Sequence, residues 1–243
     1  MAVRRYTASM ETARPRYSWL IFDADGTLFD FRRGETAALQ STTRRHGITY
    51  SSQLHEIYSA ISAELWRQFE LGEMPLKQLR VMRFERLFAD LEIDQEPDSF
   101  NLDFMDALGK QTQLLLGAES AVRRLSSRFR LLLATNGIAV VQRSRFARSS
   151  ILRYFHDVVI SEEIGVAKPQ TEFMAEAFSR MDQPAKSEVL MIGDSLSSDI
   201  AGGAAFGIDT CWFNPDDLPL DGSPKPTYTI ADLSEIDAIV TGS

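Results

Sequence analysis

Short apolar runs recur along the chain, each closed by polar turn residues. Ser18-Trp-Leu-Ile-Phe22 stops at Asp23, and Arg130-Leu-Leu-Leu-Ala134 stops at Thr135-Asn136-Gly137. Asp157-Val-Val-Ile160 runs into Ser161, Glu188-Val-Leu-Met-Ile192 into Gly193-Asp194, and Ile208-Asp-Thr-Cys-Trp-Phe213 into Asn214. Mostly apolar runs of four to six residues bounded by turn residues suit strands buried on both faces. Helical stretches at 119–127, 138–148, 169–181 and 198–206 precede the later strands, and a last helix is expected at 232–240. Helices alternating with such strands predict an α/β fold, a doubly wound parallel sheet of Rossmann-like type. Pro215 to Pro226 is expected as the longest surface loop.

Between the first and second strands the period changes. Leu54, Ile57, Tyr58, Ile61, Leu65 and Phe69 recur at helical spacing, as do Leu79, Met82, Phe84, Leu87 and Phe88. Gly47, Gly72 and Pro97 punctuate these stretches, and none reads as a strand. The expected organisation is therefore an N-terminal extension over 1–16, a core formed by 17–31 and 110–243, and an inserted all-helical domain over 32–109.

Composition narrows the partners. The chain has 243 residues, with 26 Lys+Arg against 34 Asp+Glu and a formal net charge of −8. The extension carries four arginines and one glutamate, so the rest of the chain is more acidic than the whole. That balance argues against a nucleic-acid polymer as partner. No apolar run approaches the roughly 18 residues of a membrane span, and the extension lacks the apolar stretch of a secretory leader. The single cysteine, Cys211, has no internal partner, which predicts a reducing, cytoplasmic location.

Ligands of such sheets sit beyond the carboxyl ends of the strands. The unusual polar residues fall there: Asp23 and Asp25 after the first strand, Thr135 after the second, Lys168 in the segment after the third, Asp194 and Asp199 after the fourth. Two like charges about 4 Å apart repel by roughly 4 kcal/mol at an effective dielectric of 20, so Asp23, Asp194 and Asp199 together call for a cation. An all-oxygen set without His or Cys favours Mg²⁺, with Mn²⁺ as the alternative, over zinc. Lys168, Thr135 and nearby helix N-termini attract an anion. A metal site beside anion donors points to a phosphoryl group shared between them. Asp23 then fits a nucleophile that forms an aspartyl-phosphate. Asp25, held protonated by neighbouring negative charge, fits the acid that protonates the leaving oxygen and then the base that activates water.

Asp23-Ala-Asp-Gly-Thr27, Thr135-Asn136, Lys168-Pro169 and Gly193-Asp194 with Asp199 resemble, in order, the four motifs of the haloacid dehalogenase (HAD) superfamily. The resemblance spans nearly all of the chain beyond the extension, and the inserted helices resemble that superfamily's C1 cap. It implies Asp23 and Asp25 as catalytic residues, and Thr27, Thr135, Asn136 and Lys168 as phosphate-binding residues. It implies a metal held by Asp23, Asp194 and the backbone carbonyl of Asp25, with Asp199 in support. The second acid at Asp25 is the phosphatase version of the motif; the dehalogenases lack it.

Phe22 to Phe31, Leu65-Trp66, Arg83-Phe84, Val159 to Pro169 and Asp209 to Asn214 are further similar to the noncanonical pyrimidine 5′-nucleotidases. That similarity implies hydrolysis of nucleoside 5′-monophosphates, with Phe31, Trp66 and Arg83 as candidate substrate contacts. Each of the three also fits a packed cap interior or a cap salt bridge. Gly26 departs from members that carry an acid there. Alternative readings are a phosphatase for phosphoglycolate or a sugar phosphate, a phosphomutase, or a non-catalytic regulatory protein on the same fold. A monomer or homodimer is expected, with a small phosphate monoester as partner and no membrane.

Overall fold

The computed structural model describes residues 16–220, 222 and 224–241; apart from Arg16, the expected extension lies outside them. Six parallel strands form one sheet in the order β3-β2-β1-β4-β5-β6. They are β1 (Trp19–Phe22), β2 (Arg130–Thr135), β3 (Asp157–Ile160), β4 (Val189–Gly193), β5 (Asp209–Phe213) and β6 (Tyr228–Ile230). The chain winds from β1 through β2 to β3 on one side, then returns to β4 and continues outward. The order therefore reverses beside β1, where a crevice opens at the carboxyl ends of β1, β2 and β4.

All four residues of β1 are buried, and the pleat explains why the run is apolar throughout. Leu20 and Phe22 join one apolar cluster with Leu131, Leu133 and Ile192, while Trp19 and Ile21 join the opposite cluster with Leu132, Ala134 and Met191. Each such side chain contributes about 1.5–3 kcal/mol when taken fully from water. The first cluster is closed by α5 (Ala118–Ser126) and the C-terminal α10 (Ile236–Thr241), the second by α8 (Thr171–Ser179). Between them in the chain come α6 (Ala139–Arg148), α7 (Ser161–Ile164) and α9 (Ala201–Phe206).

Four helices separate β1 from β2: α1 (Phe31–Arg45), α2 (Ser52–Glu70), α3 (Leu76–Asp90) and α4 (Pro97–Leu108). Local chemistry sets their starts. Asp30 accepts from the Arg33 N–H at 3.1 Å, Ser51 accepts from the Leu54 N–H at 3.1 Å, and Pro97 opens α4 where no amide donor is needed. Their periodic residues form a separate apolar cluster around Tyr58, Leu65, Phe84, Phe100 and Phe104. Ile138 and Val141 of the core join that cluster, so the inserted helices rest on the start of α6.

Three elements differ from the expectation, the first being the four-residue α7, which forms inside the segment read as a connection after β3. Strand β6 was not expected: three residues, with the threonine exposed, are too few for a period to show. The helix expected over 198–206 opens instead as a π-helical turn, Leu196–Ile200, before α9. The wider turn lets Asp199 point back into the crevice, where its Oδ2 accepts the Ser195 N–H at 3.2 Å.

Candidate active site

The crevice at the strand ends holds a buried lattice of charge. Lys168 is 1% exposed, and its ammonium donates to Asp23 Oδ1 at 2.6 Å, Asp199 Oδ1 at 2.6 Å and the Ala134 carbonyl at 2.8 Å. Those are all the protons it has. Asp23 is fixed from behind, its N–H donating to the Ile192 carbonyl at 2.9 Å. Burial alone would disfavour charge on Lys168, but Asp199 and Asp23 outweigh it and hold the ammonium above its usual range. Burial also pushes Asp23 well above the ordinary carboxylate range, with Asp199 and Asp194 adding and Lys168 opposing. Asp194 is pushed up to about 7, first by burial and then by Asp199.

Three acids therefore face one ammonium in a dry space. Asp23, Asp194 and Asp199 each offer a carboxylate oxygen, all within 4.8 Å of one another. The set is all oxygen, and its surplus negative charge keeps Asp194 hard to ionise; a hard divalent cation fits both features. Asp199 spends both oxygens on protein donors, Lys168 and the Ser195 N–H. Two glycines make room for the acids. A Cβ on Gly26 would lie 2.2 Å from Asp194 Oδ2, and one on Gly193 would lie 2.2 Å from Asp199 Oδ2. Gly26 also adopts φ +83°, a left-handed conformation that side chains disfavour.

The turn after β1 brings Asp25 to the same cavity as Asp23. Its surroundings correct the sequence reading, which surrounds Asp25 with negative charge. Arg145, 2% exposed, donates to Asp25 Oδ1 at 2.5 Å, and Gln142 donates to Oδ2 at 2.6 Å. Arg145 is itself held by the Gln111 carbonyl at 3.0 Å and lies over the Phe29 ring at 4.6 Å. Sequence reading missed both Gln142 and Arg145. The available signal was their spacing, i and i+3 on one face of α6, directly after Thr135-Asn136.

The other expected site residues take distinct places. Thr135 lines the cavity, its hydroxyl accepting from the Gly137 N–H and the Gln142 amide, both at 3.0 Å. Asn136 also lines it, but its amide is spent on Lys168: Nδ2 donates to the Lys168 carbonyl and Oδ1 accepts the Lys168 N–H, both at 2.9 Å. Thr27 is fully buried outside the cavity lining and donates to Asp194 Oδ1 at 3.2 Å.

The cavity measures about 210 Å³, with the charged lattice as its floor and the inserted helices as its roof. Phe31, Trp66 and Arg83 all line it, together with Leu108. Glu70, at the end of α2, lines it too and was not singled out in the sequence; its Oε2 accepts from the Ser197 hydroxyl at 2.7 Å, bridging roof and floor. A second bridge pairs Arg80 of α3 with Glu162 of α7, whose Oε2 also accepts the Ala139 N–H at 2.8 Å. No helix among the described residues is long and apolar enough to cross a membrane.

Pyrimidine 5′-nucleotidase YjjG of Escherichia coli is 32% identical, over 93% of this chain and 98% of its own. Pyrimidine 5′-nucleotidase PynA of Streptococcus pneumoniae is 34% identical, over 90% of this chain and 93% of its own. The crystal structure of the HAD-hydrolase YfnB of Bacillus subtilis, bound to magnesium, superposes with a TM-score of 0.88 at 34% identity, covering 93% of this chain and 99% of that one. A family model for haloacid dehalogenase-like hydrolases matches residues 17–207. The doubly wound core, the inserted helical cap and these matches agree, and the chain belongs to the haloacid dehalogenase-like hydrolase family.

Proposed function

We propose that the protein is a phosphoric monoester hydrolase that acts on nucleoside 5′-monophosphates, pyrimidine ones preferred, through a phosphorylated Asp23. The observation that carries this reading is Asp23 itself, buried, with one oxygen held by Lys168 and the other without a donor among the described residues, at the floor of a cavity roofed by aromatic side chains. The relatives named pyrimidine 5′-nucleotidases support the substrate class.

Asp23 attacks phosphorus in line with the ester oxygen. The new bond is Asp Oδ–P; the bond that breaks joins phosphorus to the 5′ oxygen of the sugar. Asp25 gives its proton to that oxygen as it leaves; the substrate's phosphate dianion, brought in beside Asp25, favours the protonated acid against the pull of Arg145. It then takes a proton from the water that attacks the aspartyl-phosphate, releasing inorganic phosphate and restoring Asp23. Such acid and base help is typically worth ~10²–10⁴ in rate. Arg145 and Gln142 hold Asp25 at the rim between these steps. Thr135 and the backbone around Asn136 donate to the phosphoryl oxygens, Lys168 screens them with its charge while its protons stay on Asp23, Asp199 and Ala134, and Thr27 keeps Asp194 in place.

Asp23, Asp194 and the Asp25 carbonyl would hold a divalent cation, Mg²⁺ or alternatively Mn²⁺, with Asp199 in support; when bound, it supplies positive charge for the phosphoryl oxygens. Phe31, Trp66 and Arg83 contact the base. Residues 32–109 act as the cap and 17–31 with 110–243 as the catalytic core. That division is supported by α1 starting at Phe31, α4 ending at Leu108, and the helices' own apolar cluster. Every residue named comes from one chain, so a monomer suffices, and a homodimer is compatible with it. The single cysteine, buried and free, supports a reducing cytoplasm.

A panel of monophosphates with Mg²⁺ tests the reading. Pyrimidine nucleotides are expected to lead in kcat/KM, with Asp23→Asn inactive on all. Phosphoglycolate or a hexose phosphate exceeding every nucleotide tenfold would refute the substrate class, and activity surviving in Asp23→Asn would refute the covalent route.

A further inference from the structure

Two buried arginines line the cavity, and they are satisfied differently. Arg145 has a carboxylate partner in Asp25. Arg83, 1% exposed, donates only to neutral oxygens: the Arg80 carbonyl at 3.2 Å, the Tyr58 hydroxyl at 3.4 Å and the Asn101 amide oxygen at 3.3 Å. These bonds sit at the long end of the normal range or beyond it. A guanidinium has five N–H donors, so two of those on Arg83 have no protein partner among the described residues. Its guanidinium is packed over the rings of Phe84 at 4.9 Å and Phe104 at 4.7 Å. A carboxylate, Glu35, is reached through Tyr58, which donates to it at 2.9 Å.

A buried cation with unspent donors on a cavity wall is matched by an acceptor that arrives with the ligand. The neighbouring cavity walls are Phe31, Trp66, Leu108, Ile138 and Val141. Such walls suit a flat, weakly hydrated ring better than a hydrated anion. We propose that Arg83 is a specificity-determining residue whose two free N–H groups donate to a ring carbonyl oxygen of a pyrimidine base held against the aromatic wall. This rests on the nucleotidase reading and names the group that makes the base worth recognising. The rigid fork is what matters: a lysine keeps the charge but loses the paired donors.

The test compares thymidine 5′-monophosphate, deoxyribose 5-phosphate and the difluorotoluene deoxynucleotide. The last has the shape of thymidine monophosphate with C–F bonds in place of the carbonyls. In the wild type, thymidine monophosphate should exceed the difluorotoluene analogue by roughly 10–100-fold in kcat/KM, the range of a charged hydrogen bond. In Arg83→Met and Arg83→Lys that margin should shrink at least tenfold, mainly through KM, with thymidine monophosphate losing at least tenfold more than deoxyribose 5-phosphate does. Folded variants that keep the margin, or that lose both substrates in proportion, would overturn the proposal. Should neither variant fold, equal turnover of thymidine monophosphate and its difluorotoluene analogue by the wild type would overturn it too. A wild type that does not prefer the nucleotide over deoxyribose 5-phosphate marks a different failure, that of the nucleotidase reading itself.

Discussion

The floor and the roof of the cavity are built on opposite principles. On the floor, Lys168, Asp23 and Asp199 are buried and Asp194 half-buried, all of them ionisable, and each is bonded or faced by another. On the roof, Phe31, Trp66 and Leu108 are apolar, and Arg83 is the cation among neutral partners. Buried charge is costly unless it is paired, so a floor residue is tied to its neighbours by several kcal/mol. Apolar contact is spread over area and tolerates repacking. The floor should therefore fail abruptly when altered, and the roof by degrees.

Lys168→Met attacks the floor at its centre. It leaves Asp23 and Asp199 buried without their shared cation, and breaking a buried pair from one side typically costs about 3–5 kcal/mol. Thermal unfolding should fall by many degrees and phosphatase activity by about 10³-fold or more; a variant with near wild-type Tm would show that the lattice is not what holds the floor. Asp25→Asn should cost about 10²–10⁴ in kcat on nucleotides. It should cost much less in the burst phase with p-nitrophenyl phosphate, whose phenolate leaves without a proton. Equal losses on both would remove Asp25 from the acid's role.

A smaller effect follows from Asp194. Its folded pKa of about 7 lies above the ordinary carboxylate range, so the metal-free protein binds an extra proton when folded. That contribution to stability is fully present below the ordinary carboxylate pKa and is lost as pH rises to about 7. A divalent cation competes with the same proton. Mg²⁺ should therefore raise Tm more at pH 8 than at pH 5, and Asp194→Asn should shrink the difference, leaving the part that Asp23 contributes; a magnesium shift independent of pH would contradict this. The smallest effect is expected on the roof. Trp66→Leu should raise KM for nucleotides by roughly tenfold or less, as for a modest loss of apolar contact. It should leave p-nitrophenyl phosphate turnover nearly unchanged, as a steady-state comparison would show.

The same contrast decides what can be read in the sequence. Strand β1 was legible because four buried residues in a row have one explanation in a parallel sheet. Asp23, Lys168 and Asp194 stood out because charges at strand ends break an apolar pattern. Gln142 and Arg145 did not stand out, because polar residues on a helix next to solvent-facing arginines look like surface, and only folding turns that face onto Asp25. Asn136 stood beside Thr135 in the chain, yet its amide turns to the Lys168 backbone, a contact between residues 32 apart that spacing does not encode. On the roof, Trp66 and Phe69 share one helical stripe, and periodicity does not separate a residue facing a cavity from one facing a core. Strand β6 is set by pairing with β5 and not by its own three residues.

Asp23 is proposed to carry the phosphoryl group between two half-reactions. Rapid mixing with a pyrimidine nucleotide, a quench within the first turnover, borohydride reduction and peptide mass spectrometry test it directly. A side chain reduced to an alcohol at position 23 is expected, absent without substrate and absent in Asp23→Asn. A full burst of released nucleoside with residue 23 unmodified, or with the modification on another side chain, would contradict it.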